Sequence, residues 1–223
     1  MTTRHEFLQQ LHELLQPKVY LEIGVQHGWS LQLSKASVNI GVDPHPLITE
    51  EQIRKLMPGQ VHIEEQTSDA FFETFPMPDE INHYGYVDFA FIDGMHLAEF
   101  AWRDFLNVAK YCHAGSVVVF DDVLPTTQEM AAREMCPGDW TGDVWKVYYE
   151  LRRETDYVLQ MVDTAPTGTL VVTGFDDHDT DSFHRDIGQI GLNAPVFPEV
   201  LDRRHAWSAP AVLENLKDRS FGA

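Results

Sequence analysis

Cysteine is scarce in this chain. Only Cys112 and Cys136 occur in 223 residues, neither in a motif, which excludes a disulfide framework and makes a reducing cytoplasm the expected compartment. Positive charge is scarce as well: 16 Lys and Arg stand against 35 Asp and Glu, for a net charge of -19. Such a balance repels nucleic acid and anionic membrane surfaces, so neither is expected as a general partner. A small neutral or cationic molecule is easier to accommodate. No apolar run approaches the ~20 residues of a membrane span. The stretch from Met1 to Leu8 has neither an apolar segment nor a cleavage-like site, so the chain is expected to stay in solution inside the cell. Internal repeats and low-complexity segments are absent from the sequence. The excess acid is dispersed, apart from a local cluster at Asp176-Asp177-His178-Asp179-Thr180-Asp181, and reads mainly as solvated surface.

What is present suits one sizeable core, with 43% hydrophobic and 11% aromatic residues. Apolar runs alternate with helical patterns, which predicts an α/β fold with a mainly parallel sheet and helices on both faces. Seven strands are expected, at Val19–Ile23, Ser37–Val42, Val61–Glu64, Tyr86–Ile92, Ser116–Phe120, Tyr157–Val162 and Thr169–Thr173. Helices are expected near residues 4–16, 29–36, 48–57, 97–111, 127–135 and 143–154. Ala165-Pro166-Thr167-Gly168 supplies a short turn between the last two strands. Residues 1–175 are read as the domain. The remainder, 176–223, is too short for a second one and is expected to fold over the core, cap the site or contact a second copy of the chain. A helix-like stretch, Ala209–Leu216, lies within it.

The most informative stretch is Val19-Tyr20-Leu21-Glu22-Ile23-Gly24-Val25-Gln26-His27-Gly28-Trp29-Ser30. It is an apolar strand that ends on an acid, makes a glycine turn and starts a helix. Gly24 permits a sharp turn and close approach of a ligand, while Gly28 and Ser30 stand where the N–H groups of the following helix can receive an anionic group. The two glycines lie four apart, with Glu22 just before the turn. A dinucleotide fingerprint wants three glycines in G-x-G-x-x-G.

In open α/β sheets ligands bind beyond the carboxyl ends of the strands. Asp43, closing Gly41-Val42-Asp43-Pro44, can accept hydrogen bonds from two ribose hydroxyls, or it simply forms a turn before proline. Phe91-Ile92-Asp93-Gly94-Met95-His96 puts Asp93 and His96 on one short loop, and Phe120-Asp121-Asp122 puts two carboxylates at the next strand end. Asp93, Asp121 and Asp122 together make a hard-oxygen site suited to Mg²⁺, because crowded carboxylates repel one another unless a cation or proton intervenes. His96 is a candidate general base, with a helix cap or packing residue as the plain alternative. Trp140, in the loop Cys136–Asp143, is a candidate wall of the acceptor site. Lys146 either orients substrate or pairs with an acid. Trp102, Trp145 and Tyr149 are assigned to helical core packing.

The first stretch resembles the first motif of class I S-adenosylmethionine-dependent methyltransferases. With Asp93-Gly94-x-His96, Phe120-Asp121-Asp122 and Gly142-Asp143-Val144-Trp145-Lys146 in this order, residues 18–173 are similar to the group of macrolide and rhamnosyl sugar O-methyltransferases. The resemblance implies a final strand inserted antiparallel between the fifth and sixth. For the cofactor it implies Glu22, Gly24, Gly28, Ser30 and Asp43, with Asp93 counted in both the cofactor and the metal set. It further implies a polar or acidic residue, Ser68 or Asp69, against the adenine amino group, although either of these equally caps a helix at 70–75. Asp93, Asp121 and Asp122 become Mg²⁺ ligands and His96 the base, with Asp121 standing where a Glu can occur in relatives. The implied activity is methyl transfer to a hydroxyl of a sugar or glycosylated small molecule. A catechol-type O-methyltransferase and a non-catalytic adenosyl-ligand binding protein are the alternatives.

Overall fold

The computed structural model of the chain describes residues 1–56, 59–74, 86–154, 156–175 and 194–217. The acidic cluster Asp176–Asp181 and the first part of the expected tail lie outside the described residues. Helix α1 (Arg4–Leu15) is followed by β1 (Val19–Ile23), β2 (Val38–Val42), α2 (Glu50–Leu56), β3 (Gln60–Glu64), α3 (Ser68–Thr74), β4 (Phe89–Ile92) and α4 (Ala98–Ala109). The chain continues through β5 (Val117–Phe120), α5 (Lys146–Glu154), β6 (Val158–Val162), β7 (Thr169–Thr173), a single turn at Pro198–Leu201 and α6 (Ala209–Lys217).

The strands form one sheet in the order β3-β2-β1-β4-β5-β7-β6. β7 runs antiparallel to both β5 and β6, and the other pairs are parallel. Strands β1, β2, β4, β5 and β7 are buried along their whole length, as runs covered on both faces must be. Alternation sorts their side chains into two layers. Val19, Leu21, Ile23, Ala90, Ile92, Val118 and Phe120 pack with Trp102 and Phe105 of α4 and Val147 and Leu151 of α5. Tyr20, Phe89, Phe91, Val117 and Val119 pack with Phe7, Leu8 and Leu11 of α1 and Val212 and Leu216 of α6.

All seven expected strands form, with boundaries shifted by no more than a few residues. Two expected helices do not. Residues 29–36 hold only a 3₁₀ turn, Leu31–Leu33, and residues 127–135 form turns and bends. The first is cut short because Ser30 bonds back to Glu22 (2.6 Å) and an extended Ser34 ends the turn.

The described part of the tail is core structure. Phe197 meets the rings of Trp145 and Tyr149 at 5.1 and 5.0 Å. Trp207 exchanges backbone hydrogen bonds with Met161 (2.7 Å) and Asp163 (2.8 Å), covering part of the exposed edge of β6. Arg203 anchors the connection: it pairs with Asp163 and donates to the carbonyls of Leu124 (3.1 Å) and Pro166 (2.5 Å).

Candidate active site

The parallel ladders run one residue past the strands, and this aligns the first residue of each loop. Gly24 N–H donates to Val42 (2.8 Å), Asp43 N–H to Glu64 (3.1 Å), Asp93 N–H to Ile23 (2.8 Å) and Asp121 N–H to Ile92 (3.1 Å). Asp43, Gly24, Asp93 and Asp121 therefore stand side by side at the carboxyl edge of β2, β1, β4 and β5. Gly24 has φ +89°, and a Cβ there would lie 1.9 Å from the Asp93 carbonyl oxygen, so the segments leaving β1 and β4 can pass this close only with a glycine at 24.

On the cofactor side, Asp43 Oδ2 accepts from Gln26 N–H and Oδ1 from His45 N–H, each at 2.7 Å. This clamps the loop after β1 onto the end of β2 and leaves further lone pairs on the carboxylate. Glu22 is fully buried: Oε2 accepts from Tyr20 (2.7 Å) and Oε1 from Ser30. Burial pushes its pKa up to about 8 against the pull of these two hydroxyls, so at neutral pH it is largely a neutral acid shaping the turn. Gly28 N–H is taken by Val25 (2.7 Å). The expected helix beginning at 29 is thus replaced by a turn in which the Gly28 N–H is already engaged, while Ser30 turns its hydroxyl to Glu22. Ser68 and Asp69 are engaged by α4. Asp69 forms a two-pronged pair with Arg103 (2.7 and 3.2 Å), and Ser68 bonds to buried Asp104, whose pKa burial raises. Thr67 provides the helix cap, accepting from Ala70 N–H at 3.2 Å.

On the other side of Gly24, the carboxylates divide. Asp122 takes the left-handed conformation (φ +62°), tolerable for Asp, and sends its carboxylate toward His96 while Asp121 meets Arg4 of α1. His96 Nε2 lies 3.4 Å from Asp93 Oδ1 and 3.2 Å from Asp122 Oδ2. Asp93, His96 and Asp122 each bring a ligand atom within 4.8 Å of the others. The expected three-carboxylate set is therefore rearranged, with His96 inside the cluster and Asp121 paired beside it.

The loop bearing His96 is held from behind. Nδ1 donates to the Trp140 carbonyl (2.7 Å), which leaves Nε2 as the proton-accepting nitrogen of the neutral ring, and the Trp140 indole stacks on the imidazole at 5.2 Å. Trp140 is itself fixed by Nε1 donating to Ala132 (2.6 Å). Asp143 N–H donates to the His96 carbonyl (3.2 Å), and its carboxylate accepts from Ala98 N–H (2.8 Å), Arg133 (2.7 Å) and Lys146 Nζ (2.9 Å). Lys146 is wholly buried in this network, which corrects its candidacy as a substrate contact in favour of the acid-pairing alternative. Burial lowers the His96 pKa, but the hydrogen bond to Asp93, the charges of Asp122 and Asp93 and the Trp140 carbonyl outweigh it and raise the pKa to about 9. Burial, with the charge of Asp93, raises that of Asp122.

Residues 21–123 match the methyltransferase domain family. The matched stretch runs from β1 to just beyond β5, so it contains the row of strand ends and stops short of Trp140. Among solved structures, the chain is similar to the O-methyltransferase TomG of Streptomyces achromogenes, involved in tomaymycin synthesis and in complex with SAM. The two share 19% identity over 75% of this chain and 78% of that one, with a TM-score of 0.56. It is also similar to the SAH-bound methyltransferase PaMTH1 of Podospora anserina (15% identity, 78% and 80% covered, TM-score 0.56). A third likeness is to an O-methyltransferase of Bacillus cereus in complex with SAH (16%, 75% and 79%, TM-score 0.55). At these identities the likeness establishes the fold, a class I methyltransferase fold with a Rossmann-like, mostly parallel seven-stranded sheet. No curated protein sequence matches the chain significantly.

Arg4, Arg133 and Asp143 are site residues that sequence reasoning missed. Asp143 stood inside a quoted motif without a role. Arg4 gave no signal, being 89 and 117 residues from its partners.

Proposed function

We propose that the chain is an S-adenosylmethionine-dependent O-methyltransferase acting on a hydroxyl of a sugar or glycosylated small molecule, with His96 as the base. The carrying observation is His96 at the carboxyl edge of the methyltransferase domain, its Nδ1 committed to Trp140 and its Nε2 facing the cleft carboxylates. The SAM- and SAH-bound neighbours support the cofactor.

A sulfonium methyl is already activated, so the protein must align an acceptor oxygen and remove its proton. Asp43 is the candidate ribose acceptor. Nε2 of neutral His96 takes the hydroxyl proton as the oxygen receives the methyl group, and the sulfonium leaves as the neutral thioether. The stacked Trp140 ring keeps the imidazole oriented and gives the acceptor an apolar wall.

The carboxylates fit a hard divalent cation such as Mg²⁺. Asp93 and Asp122 converge, and buried Oδ1 of neighbouring Asp121 has no hydrogen-bond partner among the described residues. Asp93 and Asp122 would hold it, with Asp121 beside them. Such an ion, when bound, would stabilise an ionised acceptor hydroxyl and offset the negative field that otherwise keeps His96 protonated at neutral pH. The test is turnover with methyl-labelled cofactor on a panel of sugars, glycosides and catechols, before and after exhaustive chelation. Labelling of glycosides alone, abolished by chelation and restored by Mg²⁺, is expected. Labelling of catechols alone would overturn the sugar reading, and full turnover after chelation would overturn the metal.

A further inference from the structure

The cleft already contains a cation of the chain's own. Arg4 Nη1 bonds to Asp121 and lies 3.3 Å from Asp93 Oδ2, with the Asp121 side chain 1% exposed. Arg4 is delivered there by the start of α1, which is held in three ways. Thr3 and Glu6 form a reciprocal capping box, with Glu6 N–H to Thr3 Oγ1 at 3.2 Å and Thr3 N–H to Glu6 at 2.7 Å. Arg4 N–H donates to the Ala165 carbonyl and Ala165 N–H to the Thr2 carbonyl, both at 2.9 Å, tying the N-terminus to the β6–β7 turn. Phe7, Leu8 and Leu11 then bury the helix against the sheet.

The contact is incomplete. An arginine in a permanent ion pair commonly offers its two-pronged fork to one carboxylate. Here one terminal nitrogen serves two carboxylates, while Arg4 Nε and Asp121 Oδ1 are buried without a hydrogen-bond partner among the described residues. Each such atom carries an unrecovered desolvation cost, so the pairing leaves binding capacity unused on both sides.

We propose that Arg4, paired with Asp93 and Asp121, is the resident counter-ion of the cleft and competes with a divalent cation for Asp93. The inference rests on the reading that these carboxylates can hold such an ion. A dication arriving at Asp93 meets the guanidinium at close range, where like charges a few ångströms apart repel strongly in a partly buried site. Without Arg4, Asp121 loses its cation and Asp93 is left with His96 alone, so the demand of these carboxylates for a cation rises. The competition makes metal occupancy dependent on displacement of one side chain at the start of α1.

The experiment is Mn²⁺ binding to the cofactor-free full chain, followed by calorimetry and by loss of the free-ion paramagnetic resonance signal, with no turnover involved. Arg4→Met is expected to bind Mn²⁺ at least about tenfold more tightly than the wild type, and the gain is expected to vanish in Arg4→Met combined with Asp93→Asn. Mn²⁺ should also raise the melting temperature of Arg4→Met more than that of the wild type. If Arg4→Met does not fold, Arg4→Gln is measured with the same expectation. Equal or weaker binding by the variant, with the wild type binding, overturns the competition and leaves the metal site standing. Tighter binding that survives Asp93→Asn also overturns it, because the ion then sits elsewhere. Absence of binding to every protein overturns both the competition and the metal reading beneath it.

Discussion

His96 carries the chemistry. If it removes the acceptor proton, His96→Ala should lower kcat by roughly a hundredfold or more while leaving S-adenosylmethionine affinity nearly unchanged; single-turnover kinetics and calorimetry check the two halves. Near-wild-type turnover would remove it from the mechanism. Its candidacy was legible in the short spacing from Asp93, but its raised pKa was not, because Asp122 reaches it only through the fold. Glu22 shows a second residue-scale effect. Its folded pKa, about 8, lies above the usual 4.5. The folded state therefore retains a proton that the unfolded chain has released, and stability is full below pH 4.5 and lost as pH rises through 8. Glu22→Gln keeps the shape without the charge. Urea melts should place it within about 1 kcal/mol of wild type at pH 4.5, with the balance moving in the variant's favour by pH 9. A constant difference across that range would show that Glu22 does not hold its proton in the fold.

Among the elements, the loop from 125 to 142 was misread as partly helical, and it is the one that fixes His96. Gly142 (φ +54°) presses on the His96 backbone, where an added Cβ would lie 1.6 Å from the carbonyl oxygen. Gly138 (φ +93°) has nothing within 4 Å of such a Cβ. Both replacements by Ala incur backbone strain of order 1–3 kcal/mol, but only Gly142→Ala must also displace the His96 loop. Thermal melts and kinetics should show Gly142→Ala losing more stability and a larger share of kcat. Equal effects would mean that the loop is not seated on His96. The strands, in contrast, were legible to within three residues, the start of β4 being the furthest off, since apolar runs bounded by turn residues such as Gly24 and Pro44 announce themselves locally.

For the whole molecule, the described tail acts as part of the core. Arg203 joins it to the loop after β5 and to the β6–β7 turn through Asp163, Leu124 and Pro166. Arg203→Met should cost about 2 kcal/mol or more, since it leaves a partly buried carboxylate and two carbonyls without their donor. A change in urea midpoint well below that would mean that Trp207 and Phe197 hold the tail unaided. A change in composition beyond residue 175 left three fates open for the tail: folding over the core, capping the site or contacting a second copy. Composition does not register that Val196, Val200, Val212 and Leu216 complete both hydrophobic layers.

The sequence by itself determined the alternation of strands and helices, the row of acids at the strand ends and the proximity of Asp93 to His96, because each is set by backbone preference or spacing over a few residues. Only the tertiary structure decided which acids keep company. Asp121 and Asp122 are neighbours in the chain, yet a left-handed turn at Asp122 gives one to Arg4 and the other to His96. Asp121's side of that partition is a contact with Arg4 at the start of α1, between residues more than a hundred positions apart, and no local pattern encodes it.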